Sequence, residues 1–279
     1  MPSDPKEPAG PSFGLKSHGR LSIAASAGPR ELMADLRVKG AWRVKIITLF
    51  PDAFPGTLGL SLTGKALETG LWTLEALDLR RYGEGKHRNV DDTPAGGGAD
   101  VVGEALTDAA IGTSSDRSKW PVVYLSPRGK PFDQAMAQNW AAADGLTLLC
   151  GRFEGVDQRV LDEYAVQEVS LGDFVLTGGE IAAQALIDAT VRLIPRVIGN
   201  HLSTDEESFS SGLLEFPQYT RPLVWKDRVI PETLLSGHHA HIADWRRDMA
   251  ERLTKERRPD LWRAYLAAQG RDPIEDQEQ

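Results

Sequence analysis

The sequence predicts an α/β protein in which helices cover both faces of a parallel sheet and a small helical domain follows. Three observations carry this reading. Short β-branched apolar runs alternate with stretches of helical period, as successive strand and helix units do. Glycine-rich turns follow several of the runs, where open sheets of this class bind ligands. Past Pro195 the texture turns polar, then charged and helical.

Residues 1–42 mix Pro, Gly, Ser and charge without apolar period, as in MPSDPKEPAGPSFG. They bury too little to offset their ordering entropy, and a disordered tail is expected. The run Val44-Lys45-Ile46-Ile47-Thr48-Leu49-Phe50, closed by Pro51, predicts the first strand. Further strands are expected over 74–79, 122–125, 146–150 and 166–169, with helices near 60–69, 102–111, 131–143 and 155–163. A helix from 180 to about 193 ends before Pro195, whose ring forbids continuation. The sheet domain thus spans 43–199. Residues 200–212, NHLSTDEESFSSG, are small and polar and read as a flexible linker. The helical domain fills 213–279, with helices over 238–254 and 259–269. No period of about 20 to 50 residues repeats, so solenoids and propellers are out.

With 279 residues and 41% apolar content the chain is long enough for one large or two modest cores. No apolar run is long enough to span a bilayer and no secretory block opens the chain, which places the protein in the cytoplasm, off any membrane. Cys150 stands alone, so neither an intrachain disulfide nor a multi-thiolate zinc site can form, and a buried, reduced thiol is expected. The net charge of −8 requires any nucleic acid to be held by a local patch. Residues 246–263 carry Arg246, Arg247, Arg252, Lys255, Arg257, Arg258 and Arg263 against Asp248, Glu251, Glu256 and Asp260, a surplus of three from seven minus four. A solvated helix face explains that stretch as well as an RNA footprint does.

Several activities are excluded by absent motifs. Gly64-Lys65, Gly85-Lys86 and Gly129-Lys130 lack the following Ser or Thr of a P-loop, and Gly96-Gly97-Gly98 lacks the third glycine of a dinucleotide fingerprint. No G-x-S-x-G nucleophile elbow occurs. His238, His239 and His241 crowd one helix start, a spacing that does not converge three imidazoles on one metal.

Four glycine-bearing loops stand out: Leu125 to Gly129, Gly151 to Asp157, Leu171 to Glu180, and Pro94 to Gly98. Singly each is an ordinary turn. Together at one sheet edge they suit a pocket built mostly from backbone, since glycine lets amides and carbonyls approach a flat ring closely.

The strings ITLFP, HRNVDDTPAGGG, VVYLSPRGKPFDQ, LLCGRFEGVDQRV, LGDFVLTGGE, ALIDATVRLIPRVIG, EESFSSGLLEFPQYTRP and LLSGHHAHIADWR run in order through residues 46–246. Together they closely resemble the TrmD family, the bacterial tRNA (guanine-N1)-methyltransferases of the SPOUT class. The resemblance implies a SPOUT-type parallel sheet with a deep trefoil knot, a homodimer with active sites at the subunit interface, and S-adenosylmethionine as methyl donor. Knots are too rare for patterning to have predicted one. The partner it implies is the tRNA anticodon stem-loop, with methyl transfer to N1 of the guanine immediately 3′ of the anticodon. It also names Mg2+ as an aid, for which the sequence offers no ligand cluster. Carried over by position, the donor pocket would comprise Tyr124, Leu125, Ser126, Pro127, Gly151 and Glu154. From the third loop it would take Leu171, Gly172, Asp173, Phe174, Val175, Leu176, Gly178 and Gly179.

Guanine N1 carries a proton and becomes nucleophilic only when it leaves, so the reaction needs a base at N1 and a cation near O6. The matching positions are Glu207, in Asp205-Glu206-Glu207-Ser208-Phe209, as base, and Arg192 as the stabilising cation. The family carries Asp where Glu207 stands, which leaves Glu206 and Asp205 as alternatives; Arg192 also lies four residues from Asp188, the spacing of a helical ion pair. Ala95 stands where an aromatic is usual. The target base must be unstacked to reach such a pocket. Two other readings fit the same loops: a SPOUT methyltransferase acting on another RNA site, and an inactive RNA-binding assembly factor.

Overall fold

The computed structural model describes residues 40–83, 98–152, 155–198, 208–209 and 211–271. Most of the expected tail, most of the Pro94 to Gly98 loop, and Glu154 and Glu207 lie outside the described residues.

Five strands form one parallel sheet: β1 (Trp42–Thr48), β2 (Trp72–Asp78), β3 (Val122–Pro131), β4 (Gly145–Cys150) and β5 (Gln167–Ser170). Their order is β2-β1-β4-β3-β5. Five helices accompany them: α1 (Ser61–Glu68), α2 (Ala99–Ala110), α3 (Gln134–Ala141), α4 (Gln158–Glu163) and α5 (Glu180–Val191). Alternate residues of the central strands feed two cores, one on each face. Val123, Leu125, Leu146 and Leu148 pack with Trp42, Trp140, Leu186 and Ile187 on one face. Val122, Tyr124 and Leu149 pack with Val102, Leu106, Trp120 and Leu161 on the other. Each fully buried Leu or Ile contributes roughly 1.5–3 kcal/mol, and coverage of both faces is what a parallel sheet requires.

Element ends differ from the expectation for local reasons. β1 stops at Thr48 rather than Phe50 because the Thr48 hydroxyl accepts the Phe50 N–H at 3.0 Å and turns the chain out of the ladder. β3 continues past Leu125: residues 126–129 bulge out and pairing with Val169 resumes at Lys130. Gly129 allows this, since a Cβ there would fall 2.3 Å from the Val169 amide nitrogen. α3 and α4 begin late because Asp133 caps the first, accepting from the Met136 N–H at 2.8 Å, and Asp157 the second, accepting from the Arg159 N–H at 2.9 Å.

Beyond residue 211 the chain forms a hairpin of β6 (Val224–Trp225) and β7 (Arg228–Val229), then α6 (Glu232–Leu235), α7 (His239–Arg257) and α8 (Pro259–Ala268). The hairpin was not expected. Its two-residue turn places Lys226 and Asp227 at positive φ (46° and 62°) without the Asn or Gly that usually marks such turns. Leu213, Ala250, Trp262 and Leu266 form a separate small core, and Thr254 Oγ1 accepts the Leu214 N–H at 2.8 Å, tying the incoming chain to α7. Among the described residues no helix is long and apolar enough to cross a membrane.

Candidate functional site

β4 and β5 flank β3, so the C-terminal ends of these three strands lie side by side. The chain leaving β5 runs back across this edge until the Gly179 N–H donates to the Gly151 carbonyl at 3.1 Å. The two turns and the β3 bulge enclose a cavity of about 340 Å³, a size that suits a small-molecule site.

Backbone forms much of its wall because glycine stands where a side chain has no room. A Cβ on Gly151 would fall 2.5 Å from the Tyr124 ring, and one on Gly179 would fall 2.8 Å from the Cys150 Cα. Burial pushes the Tyr124 phenol up while nearby Arg128 opposes it, so this hydroxyl stays protonated and cannot serve as a base near neutrality. The Cys150 thiol, buried as expected, is pushed well up by burial and by Glu180, which leaves it without thiolate character. Ser126 is buried, and its Oγ accepts the Arg128 N–H at 3.2 Å, holding the bulge closed. Arg128 is further fixed by Glu168 at 3.0 Å.

The cavity lining includes Tyr124, Leu125, Ser126, Pro127, Gly151, Leu171, Gly172, Phe174, Val175, Leu176, Gly178 and Gly179. Asp173 is exposed and does not line it. Arg192 is the C-cap of α5, half-buried, its N–H donating to the Asp188 carbonyl at 3.2 Å. It is not among the lining residues. Ala182 is the last α5 residue that is, and Arg192 lies ten residues further on (192 − 182), about 15 Å along the helix axis.

Sequence reasoning missed Arg128, Arg152, Gly155, Val156, Val169, Ser170, Thr177 and Ala182 as lining residues. Arg128, Arg152, Gly155, Val156 and Thr177 sit inside the glycine-bearing loops, so loop membership was an available signal. Ala182 had none, because helical period marks a buried face without saying what it faces. Among the described residues no group of three or more His, Cys, Asp or Glu could hold a metal ion. His238 and His241 only lie against each other, ring centroids 5.4 Å apart.

Residues 42–264 match the family model described as tRNA (Guanine-1)-methyltransferase TrmD. A Cereibacter sphaeroides (strain KD131) protein named tRNA (guanine-N(1)-)-methyltransferase is 78% identical over 247 residues, covering 86% of this chain and 99% of that protein. Proteins of the same name from Ruegeria sp. (strain TM1040) and Jannaschia sp. (strain CCS1) are 68% and 63% identical, each covering more than four-fifths of this chain and more than nine-tenths of its own. The glycine-walled cavity lies wholly within the matched span, and the chain belongs to the tRNA (Guanine-1)-methyltransferase TrmD family.

Proposed function

We propose that this protein transfers a methyl group from S-adenosylmethionine to N1 of the guanine immediately 3′ of the anticodon in tRNA. The observation that carries the reading is the cavity at the ends of β3, β4 and β5, walled by glycine turns whose backbone can lie against a flat ring. Its volume and its mixture of apolar side chains with main-chain polar groups fit the donor. Tyr124 to Pro127, Gly151, Leu171, Gly172, Phe174 to Leu176, and Gly178 with Gly179 would hold it, with Glu154 as a further contact. Once bound, S-adenosylmethionine supplies a methyl group made electrophilic by the adjoining sulfonium.

The protein's own part is to make the acceptor reactive. Glu207 takes the N1 proton, and the Arg192 guanidinium donates to O6, where negative charge gathers as that proton leaves. The N1 lone pair then forms the new N–C bond as the C–S bond breaks, releasing S-adenosylhomocysteine. The distance of about 15 Å from Ala182 to Arg192 along α5 exceeds a side chain's reach. This supports a homodimer in which Arg192 serves a second copy's cavity. Phe174, Val175 and Ile181 beside the cavity are exposed, apolar surface that such a partner would cover. The return of the chain from β5 to Gly151 supports the trefoil knot that this family implies. In this reading residues 43–199 carry the donor site, Glu207 acts at the acceptor, and 213–279 bind tRNA. Among the described residues no group of three or more His, Cys, Asp or Glu could hold a metal ion, and no step above is assigned to Mg2+.

The test is transfer of labelled methyl from S-adenosylmethionine to unmodified tRNA transcripts that carry or lack guanine 3′ of the anticodon. Label is expected only on the first. Equal labelling of both would overturn the site assignment, and binding without transfer would overturn the enzymatic reading.

A further inference from the structure

One wall of the cavity is held by a partly buried network that reaches beyond the three loops. Arg152 follows Gly151 directly and lines the cavity. Its Nη2 donates to Glu180 Oε2 at 3.0 Å, and its guanidinium lies over the Phe50 ring, 4.4 Å from the centroid. Its Nε is buried with no hydrogen-bond partner among the described residues. Glu180, the first residue of α5, is only 4% exposed, and its other oxygen accepts from Thr48 Oγ1 at 2.8 Å. The same Thr48 hydroxyl accepts the Phe50 N–H, so the end of β1 positions both the acid and the ring.

Gly178 lies inside this network. A Cβ there would fall 2.2 Å from Arg152 Nε and 2.6 Å from Glu180 Oε2. The turn of Gly178 and Gly179 therefore rests directly on the ion pair, and both glycines line the cavity. A pair of this kind, its carboxylate buried and its guanidinium partly so, gains little net stability, because desolvating the charges offsets most of their attraction. What it supplies is direction: the planar guanidinium holds one oxygen of a carboxylate whose other oxygen is already taken by Thr48.

We infer that Arg152 and Glu180 are positioning residues for the methyl donor, a clasp anchored on buried Thr48 and on Phe50 that sets the Gly178 and Gly179 wall of the cavity. This rests on the cavity being the donor site. Glu180 is not among the lining residues and acts on the site through Arg152 and the turn. The clasp acts by keeping the turn close to Gly151 and Tyr124, so its loss widens the site and weakens donor binding more than it slows transfer from a saturated site.

The test is calorimetric titration of the full chain, and of Glu180→Gln, Arg152→Gln and Arg152→Lys, with S-adenosylhomocysteine, alongside circular dichroism and steady-state kinetics. Glu180→Gln and Arg152→Gln should weaken binding about tenfold or more, the scale on which small displacements of a binding wall are felt. KM for the donor should rise more than kcat falls, and Arg152→Lys should recover part of the loss. Folded Gln variants with wild-type affinity and KM would overturn the proposal. Should they fail to fold, Phe50→Leu decides: it removes only the ring under the guanidinium, weaker binding supports the clasp, and unchanged binding overturns it. A wild-type chain that bound no S-adenosylhomocysteine would overturn the donor-site reading and the clasp with it.

Discussion

Replacing Gly179 by Ala separates a steric requirement from a conformational one. Gly179 has φ −77° and ψ −11°, a conformation that alanine adopts freely, so no backbone strain follows. Its added Cβ, however, would stand 2.8 Å from the Cys150 Cα, where ordinary contact begins at 3.4 Å. Two backbone segments must separate by at least about 0.6 Å, the difference between those distances, at the buried end of β4. Overpacking of this kind costs about 1–3 kcal/mol, and stretching the bond from the Gly179 N–H to the Gly151 carbonyl costs up to about 1 kcal/mol more. Removing a glycine from the unfolded chain returns about 0.4–1 kcal/mol, which leaves a net loss of about 2 kcal/mol at the midpoints of these ranges. At about 2–4 °C per kcal/mol for a domain of this size, Tm should fall by roughly 4–8 °C. S-adenosylhomocysteine should bind more weakly, because the displaced turn lines the cavity. Gly103→Ala is the control. Gly103 lies inside α2 and its Cβ would meet nothing nearer than the Tyr164 hydroxyl at 3.6 Å, so it should stabilise by about 0.5–1 kcal/mol. Thermal unfolding and calorimetry read both. A Gly179→Ala variant as stable as wild type with unchanged donor affinity would refute the packing argument.

Other outcomes follow from the same geometry. Thr48→Val leaves a Glu180 oxygen without its donor and the Phe50 N–H without its acceptor, and should cost about 1–3 kcal/mol in urea unfolding; an unchanged midpoint would contradict the network. Arg192→Ala and Glu207→Gln should each lower kcat about a hundredfold or more with S-adenosylhomocysteine affinity retained, and full turnover in either variant would remove it from the mechanism. The Asp157 carboxyl is held down at about 2, against an ordinary 3.8, by the side-chain hydrogen bond from Arg159 and then by its backbone N–H. A depressed acid contributes stability above its ordinary value and loses it as pH falls through the folded value, so this contribution persists to about pH 4 and disappears toward pH 2. Arg159→Ala should move the Asp157 titration, followed by NMR, back toward 3.8; no movement would show that the guanidinium is not the cause.

The sequence by itself determined the kind of protein this is. The β-branched run from Val44 and the largely apolar Leu146 to Cys150 segment demanded a sheet covered on both faces, because a parallel sheet has no solvent-facing side on which polar residues could alternate. The glycines at 151, 178 and 179 marked turns that must come close to other atoms, and the conjunction of loops led to their family. Tertiary structure alone decided which neighbours those turns would have. Strand order β2-β1-β4-β3-β5 arises from pairings between distant segments, and a period of two says which residues face a core, never which strand lies alongside. The bond from Thr48 to Glu180 joins residues 132 positions apart, and that from Arg152 to Glu180 joins residues 28 apart. In the sequence they are a threonine at a strand end, an arginine in a loop and an acid at a helix start; one network forms only because the fold brings β1, β4 and α5 to the same buried corner.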